Sequence, residues 1–356
     1  MNALDLPTFL ALPDREKVPL IGDQAILYAQ QFRRADLDGY CALADACRAL
    51  HKRPEGREVL ASLLRHRMAL NFFVQPSSRT FLSFNAAQAI LGMRRMSVRD
   101  VKISSMSKGE SLVDSVRTFL SYVDLVVMRH GDDDAAPTAF WTAARAHRRI
   151  TLDDGTERPV PIVSGGSGTS QHPTQALLDV YTLERSLGAI DGKRLLLVGD
   201  LARSRTVRSL SYLMRHYEGV YLVLAAPERY QMRPDLLAFL DAHQIPWEKV
   251  GSIDEAVDEV DAVYMTRIQD EHDATPRDGH VPASEGFVFT RDHLRRMKPT
   301  ACLMHPLPKR DEIEAEIDYL DDPRVVYWRQ ERNGMWMRVA LLARLFGVDD
   351  RISPAG

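Results

Sequence analysis

Arg194-Leu195-Leu196-Leu197-Val198-Gly199-Asp200 is an apolar run that opens on a cation and closes on a glycine. A strand buried on both faces shows no alternation of polar and apolar residues, and this run shows none. A helical pattern follows over residues 205–216, then a strand over 220–225 and a helix over 234–243. Ala262-Val263-Tyr264-Met265 reads as the next strand. Parallel strands need crossover helices, so this repetition predicts a sheet covered on both faces.

The N-terminal half repeats the pattern. Met68-Ala69-Leu70-Asn71-Phe72-Phe73-Val74 predicts a buried strand that ends at Gln75-Pro76, and residues 80–91 a helix stopped by Gly92. Residues 112–122 predict a helix and 124–128 a strand. Pro161-Ile162-Val163-Ser164 leads into a glycine-rich loop at 165–168, followed by a long helix over 172–185. The expected fold is α/β with two domains, each a mainly parallel sheet flanked by helices. Residues 26–64 read as amphipathic helix, and 148–161, with Asp153-Asp154-Gly155, as an insertion or small hairpin. Residues 336–346 read as a terminal helix. The three prolines before residue 22 suggest an irregular leader, and the connection over 271–286 is long enough to suggest a functional segment.

With 356 residues the chain suffices for two domains and a large core. Its net charge of -3 gives no bulk reason to expect nucleic acid or an anionic membrane as partner. Anion binding would have to come from local Arg and Lys. Cys41, Cys47 and Cys302 contain no CxxC pair, which argues against a disulfide framework or structural zinc and for a reducing compartment. No apolar run approaches the length of a membrane span, and the N-terminal residues lack a signal-peptide layout. A cytoplasmic location is expected.

Chemistry-bearing residues cluster at predicted strand ends, where helix N-termini offer unsatisfied N–H groups. Ser77-Ser78-Arg79-Thr80 places hydroxyls and a guanidinium at such a turn, although serines there also suit plain helix capping. Arg129 follows a strand. His172 and Gln175 share a face at a helix start, where a neutral imidazole can polarise a carbonyl. Lys108 sits among small polar residues next to Gly109, as a solvated surface lysine also would. Arg205 and Arg267 lie beyond strands of the second series, and two guanidiniums suit an acceptor with two carboxylates. Gly199-Asp200 lacks the G-x-G-x-x-G of a dinucleotide site.

Ser107-Lys108-Gly109-Glu110-Ser111-Leu112, His172-Pro173-Thr174-Gln175-Ala176-Leu177-Leu178-Asp179, Tyr264-Met265-Thr266-Arg267-Ile268-Gln269 and His305-Pro306-Leu307-Pro308 occur in that order. From about residue 25 to 347 the chain resembles the aspartate/ornithine carbamoyltransferase family, on its aspartate branch. The resemblance implies a leader over 1–24, a carbamoyl-phosphate domain over 25–177, an acceptor domain over 178–325, and a C-terminal helix over 326–356 that returns to the first domain. By the same resemblance Ser77, Ser78, Arg79, Thr80, Arg129, His172 and Gln175 bind carbamoyl phosphate, and Leu307-Pro308 is a cis peptide lining the pocket. Ser104 and Lys108 reach a neighbouring subunit's site, and Arg205, Arg267 and Gln269 hold L-aspartate, with Lys108 assisting. Arg79, Thr80, Lys108, Arg129 and His172 are the implied catalytic set. The family chemistry implies no metal or cofactor, and its shared sites imply a homotrimer, with a regulatory subunit left open.

Ser78, Phe81, Gln75 and His272 depart from the family pattern. A paralogous transcarbamylase with another amino acceptor is therefore an alternative, and a non-catalytic chain of the same fold a more distant one.

Overall fold

A computed structural model of the chain describes residues 4–100, 108–168, 170–268 and 286–352. The chain divides into two compact units, Met1–Leu177 with Gly334–Gly356, and Leu178–Asn333.

The first unit begins with α1 (Leu6–Ala11), α2 (Asp14–Ile21), α3 (Arg34–Leu50) and α4 (Pro54–Leu63). It continues with β1 (Met68–Phe73), α5 (Ser78–Ile90), β2 (Arg94–Val98), α6 (Leu112–Tyr122), β3 (Leu125–His130) and α7 (Ala135–Arg145). The antiparallel hairpin β4 (Arg149–Thr151) and β5 (Glu157–Pro159) then precedes β6 (Ile162–Ser167) and α8 (Pro173–Leu187). Its main sheet has the order β2-β1-β3-β6, and every pairing in it is parallel. β1 is apolar and buried except at Met68, and its one inward amide, Asn71, is matched by Gln88 through two reciprocal bonds of 2.8 and 3.0 Å. That pairing removes the penalty of a polar group in the core. β2 carries Arg94 and Arg95 on an exposed edge, where charge discourages pairing with another chain.

The second unit contains β7 (Arg194–Val198), α9 (Arg205–Met214), β8 (Tyr221–Ala225), α10 (Pro234–Ala242), β9 (Trp247–Val250), β10 (Ala262–Met265), α11 (Arg291–Arg296) and β11 (Cys302–Met304). Its sheet, β11-β10-β7-β8-β9, is parallel throughout. The strand order reverses at β7 and β10, the kind of position where open α/β sheets bind ligands. Leu196, Val198, Val223, Val263 and Met265 are fully buried between the helical layers. The final helix, α12 (Tyr327–Leu345), ends in the first unit. There Arg338 donates to Ser83 Oγ at 2.7 Å and Trp336 meets His51 edge-on, so the helix returns to the first unit.

Three expectations need correction. The leader is not irregular. Asp5 caps α1 by accepting from the Thr8 amide at 2.8 Å, and Pro7 falls in the first turn, where its missing N–H costs nothing. Phe9 is buried near Phe140, which docks the segment, although Pro19 does sit inside α2. Gly165, Gly166 and Ser167 form the end of strand β6 rather than a loop, because a strand with minimal side chains passes closely over Phe73. The helical reading over 26–64 breaks into two helices at Pro54, which starts α4, while Ile26 bridges to Val163. All three cysteines are free, and burial pushes the Cys47 and Cys302 thiols up to about 12.

Candidate active site

In the first unit, β1, β3 and β6 are adjacent parallel strands whose carboxyl ends share one edge. α5 follows β1 and α8 follows β6, so the two helix N-termini flank the end of β3, where Arg129 sits. The Val74 and Gln75 amides both donate to the Arg129 carbonyl, at 3.0 and 3.3 Å, and tie the α5 turn to the end of β3. Ser77 is the N-cap of α5 yet makes no side-chain capping bond, so capping does not account for its hydroxyl. Ser77 and Arg79 are half-buried, Ser78 is exposed and Thr80 is buried.

A bulge shapes the floor of this cluster. Met128 pairs with Ser164 but His130 with Ser167, which inserts one extra residue on β6. The buried Arg129 guanidinium donates from Nη1 to the Gly165 carbonyl there at 2.8 Å. A Cβ on Gly165 would stand 3.2 Å from the Phe73 ring and 3.5 Å from the Thr80 methyl, so the close approach favours glycine. His172 is buried just before α8, with Nε2 3.5 Å from Thr80 Oγ1. Gln175, also buried, lies in the first turn of α8. Thr80, Arg129 and His172 thus converge where two helix dipoles point their positive ends, with Arg79 alongside: a site for an anion. His130, beyond Arg129, is held below its usual pKa by burial, and its Nδ1 accepts from the Asp132 amide at 3.0 Å.

Lys108 is exposed ahead of α6 and is not among the groups brought together here. Ser104, Gln269, His272 and most of the 271–286 connection lie outside the described residues. Phe81 packs edge-on against Phe73, with the Arg99 guanidinium 4.4 Å from its ring centroid. That departure from the family pattern is therefore used in packing.

In the second unit, Arg205 opens α9 beyond β7 and Arg267 lies two residues beyond β10, so both half-buried guanidiniums occupy the carboxyl ends of neighbouring strands. The two ends are stitched together. Thr266 Oγ1 donates to the Val198 carbonyl at 2.8 Å and accepts from the Asp200 amide at 3.0 Å. Gly199, at φ +107°, has the Thr266 carbonyl 2.1 Å from where a Cβ would be, so no other residue fits. Asp200 is buried and paired with Arg203 at 2.8 Å.

Leu307–Pro308 is a cis peptide, and Leu307 has a left-handed φ of 53°. The Leu307 amide donates to His305 Nδ1 at 2.7 Å, which leaves the ring proton on Nε2 to donate to Glu312 at 2.7 Å. The His305 amide donates to Gln330 Oε1 at 3.0 Å, and Gln330 Nε2 donates to Asp179 Oδ1 at 2.7 Å. The Tyr264 hydroxyl completes the chain at Asp179 Oδ2, 2.7 Å away. Asp179, Tyr264 and His305 lie inside the quoted motifs but had no role assigned from sequence. Glu312 and Gln330 carry no sequence signal, because each sits in a charged stretch of chain that reads as solvated surface.

Burial alone would raise the Glu312 carboxyl, but bonds from His305 and the Arg310 amide hold it below its ordinary 4.5. A carboxylate with a depressed folded-state pKa stabilises fully above its unfolded value and loses that contribution as pH falls through the folded one. Glu312→Gln is accordingly expected to flatten the loss of stability below about pH 4.5, as acid titration of unfolding would show.

A two-unit parallel α/β protein with cations and helix N-termini at its strand ends is built to bind small anionic ligands there. Residues 24–185 match the family description "Aspartate/ornithine carbamoyltransferase, carbamoyl-P binding domain", and residues 191–345 match its "Asp/Orn binding domain". The chain belongs to the aspartate/ornithine carbamoyltransferase family. It is 38% identical over 318 residues to aspartate carbamoyltransferase 1, chloroplastic, of Pisum sativum, which covers 89% of this chain and 77% of that one. It is 35% identical over 283 residues to the aspartate carbamoyltransferase catalytic subunit of Methanocaldococcus jannaschii, covering 80% of this chain and 86% of the other. The solved structure of aspartate transcarbamoylase from Trypanosoma cruzi in complex with carbamoyl phosphate and aspartate is similar at a TM-score of 0.74 and 35% identity. That similarity covers 91% of this chain and 97% of the other.

Proposed function

We propose that this protein transfers the carbamoyl group of carbamoyl phosphate to the amine of L-aspartate, giving N-carbamoyl-L-aspartate and phosphate for pyrimidine biosynthesis. The observation that carries this reading is the convergence of Thr80, Arg129 and His172 at the end of the middle strand between two helix N-termini. The phosphate sits at the α5 turn against Ser77, Ser78, Arg79 and Thr80, where N–H groups and a guanidinium match its charge. Gln175 lies beside the carbamoyl group. Arg205 and Arg267, with Gln269, take the aspartate carboxylates.

The aspartate amine attacks the carbamoyl carbon, and a C–N bond forms as the carbonyl oxygen takes up negative charge. Arg129, the His172 N–H and the Thr80 hydroxyl donate to that oxygen, and the bond to phosphate then breaks. The departing phosphate takes the amine proton, which balances the charges. Fixed donors aimed at developing charge, together with substrate positioning, supply most of the rate. Within the second unit, the network from Asp179 through Gln330 and His305 fixes the backbone at Leu307.

The test is phosphate release from carbamoyl phosphate with and without L-aspartate, with the product identified. Aspartate-dependent release with N-carbamoyl-aspartate formed is the expected result, and binding of carbamoyl phosphate without aspartate-dependent release would move the search to other amines.

The working unit is a homotrimer in which Ser104 and Lys108 complete a neighbouring chain's site. An exposed Lys108, set apart from the cluster within its own chain, supports this. Lys108→Ala and Arg79→Ala chains, each inactive alone, should regain activity on mixing and reassembly. With equal random mixing, a site needs one partner of each kind in a fixed order, so recovery of about one quarter of wild-type activity is expected. Failure to recover would count against sites shared between chains. The three free thiols support a reducing compartment, and we place the protein in the cytoplasm.

A further inference from the structure

The second unit contains a cavity of about 500 Å³ that the proposed transfer reaction does not use. It lies beyond the carboxyl end of β8 and beside the start of α10, and its volume is in the range of small-molecule sites. Four cations line it, Arg203, Arg229, Arg233 and Lys249, against a single carboxylate, Glu228. Arg203 is already paired with the buried Asp200, so the local surplus is two positive charges, in a chain whose overall net charge is -3.

The usual fate of exposed cations is solvation, and Arg229, Arg233 and Lys249 are exposed. Two further features set this cavity apart. Its wall includes Tyr230, buried at 4% exposure, whose ring centroid lies 5.0 Å from the Arg203 guanidinium and 4.5 Å from that of Arg229. Both guanidiniums therefore rest against one aromatic ring, which limits their freedom. In addition, the Tyr230 hydroxyl is buried and has no hydrogen-bond partner among the described residues. Because that hydroxyl is closed to solvent, it is the phenol ring and not the O–H that a ligand in the cavity would meet.

We propose that this cavity binds a compact phosphate-bearing anion of two or more charges, at a site built from residues other than those of the carbamoyl-phosphate cluster. Arg203, held from behind by Asp200, provides the fixed cation. Arg229, Arg233 and Lys249 close on the ligand from the exposed side. Guanidinium forks match phosphate oxygens bidentately, and a lysine adds a point charge.

Inorganic pyrophosphate is a suitable probe, titrated calorimetrically into the full-length protein. Because the carbamoyl-phosphate cluster can also take up a phosphate, the titration is made in Arg79→Ala, with and without the further changes Arg229→Glu and Lys249→Glu. Binding of one pyrophosphate per chain in Arg79→Ala, weakened at least tenfold by the charge reversals, is expected. The milder pair Arg229→Gln and Lys249→Gln should weaken it less, and melting curves of all variants verify folding. Absence of pyrophosphate binding in Arg79→Ala, or binding indifferent to both pairs of changes, would overturn the proposal. Neither outcome depends on whether the protein transfers carbamoyl groups.

Discussion

Arg129→Ala is expected to lower kcat for carbamoyl transfer by about a hundred- to a thousandfold, the range seen when one fixed donor to a developing oxyanion is removed. Arg129 is buried at the end of β3 with Nη1 committed to the Gly165 carbonyl at 2.8 Å, so its position is set before substrate arrives. Such a group contributes more than a solvated cation, because nothing has to reorganise as charge builds on the carbonyl oxygen. Phosphate binding at the α5 turn is separate, since Arg79 and the three hydroxyls there remain. The variant should therefore show a large fall in kcat with a smaller change in KM for carbamoyl phosphate.

Some stability is lost too, about 1–3 kcal/mol, because the Gly165 carbonyl loses its donor. Arg129→Lys keeps the charge but not the fork, and should recover only part of the rate. Steady-state kinetics with a thermal melt on the same samples separates the two effects. A kcat within a few-fold of wild type in a folded Arg129→Ala protein would remove Arg129 from the proposed mechanism.

Asp179→Ala is expected to destabilise the second unit by about 3–5 kcal/mol. The carboxylate accepts two bonds of 2.7 Å, from the Tyr264 hydroxyl and Gln330 Nε2, and all three residues are buried. Hydrogen bonds to a charged group contribute about 1.5–3 kcal/mol each, and alanine leaves both donors unmatched inside the protein. At roughly 2–4 °C per kcal/mol for a unit of this size, the melting transition should drop by about 10 °C. Asp179→Asn, of nearly the same shape, should cost less, since one amide oxygen still accepts. Because two compact units need not unfold together, calorimetry that resolves separate transitions is the suitable measurement. A shift below about 3 °C would mean that Gln330 and Tyr264 find other partners, and that the link to His305 does not stabilise the unit.

Much of this protein is legible in its sequence. β7, β10 and α6 emerge at or near their observed bounds because their apolar patterns are strong and local. The strand ends carrying Arg205 and Arg267 follow from those strands, since a parallel sheet has one ligand-facing edge. The exposed strand β2 and the half-buried β9 leave no such pattern, and β11 is only three residues long. Nor does the run Gly165-Gly166-Ser167 announce a bulged strand, whose shape depends on Phe73 and Met128 beneath it.

The sequence by itself determined the alternation of strands and helices and the residue types offered at the strand ends. Both depend on local periodicity and short-range turn chemistry. Only the tertiary structure decided that Arg129 faces Gly165, that His172 stands by Thr80, and that Gln330 bonds to Asp179 across 151 residues of chain. Those pairings depend on strand order and register, which the balance of packing across the whole unit selects. A buried polar side chain is tolerated wherever that selection happens to bring it a partner, and no local pattern in the chain names the partner in advance.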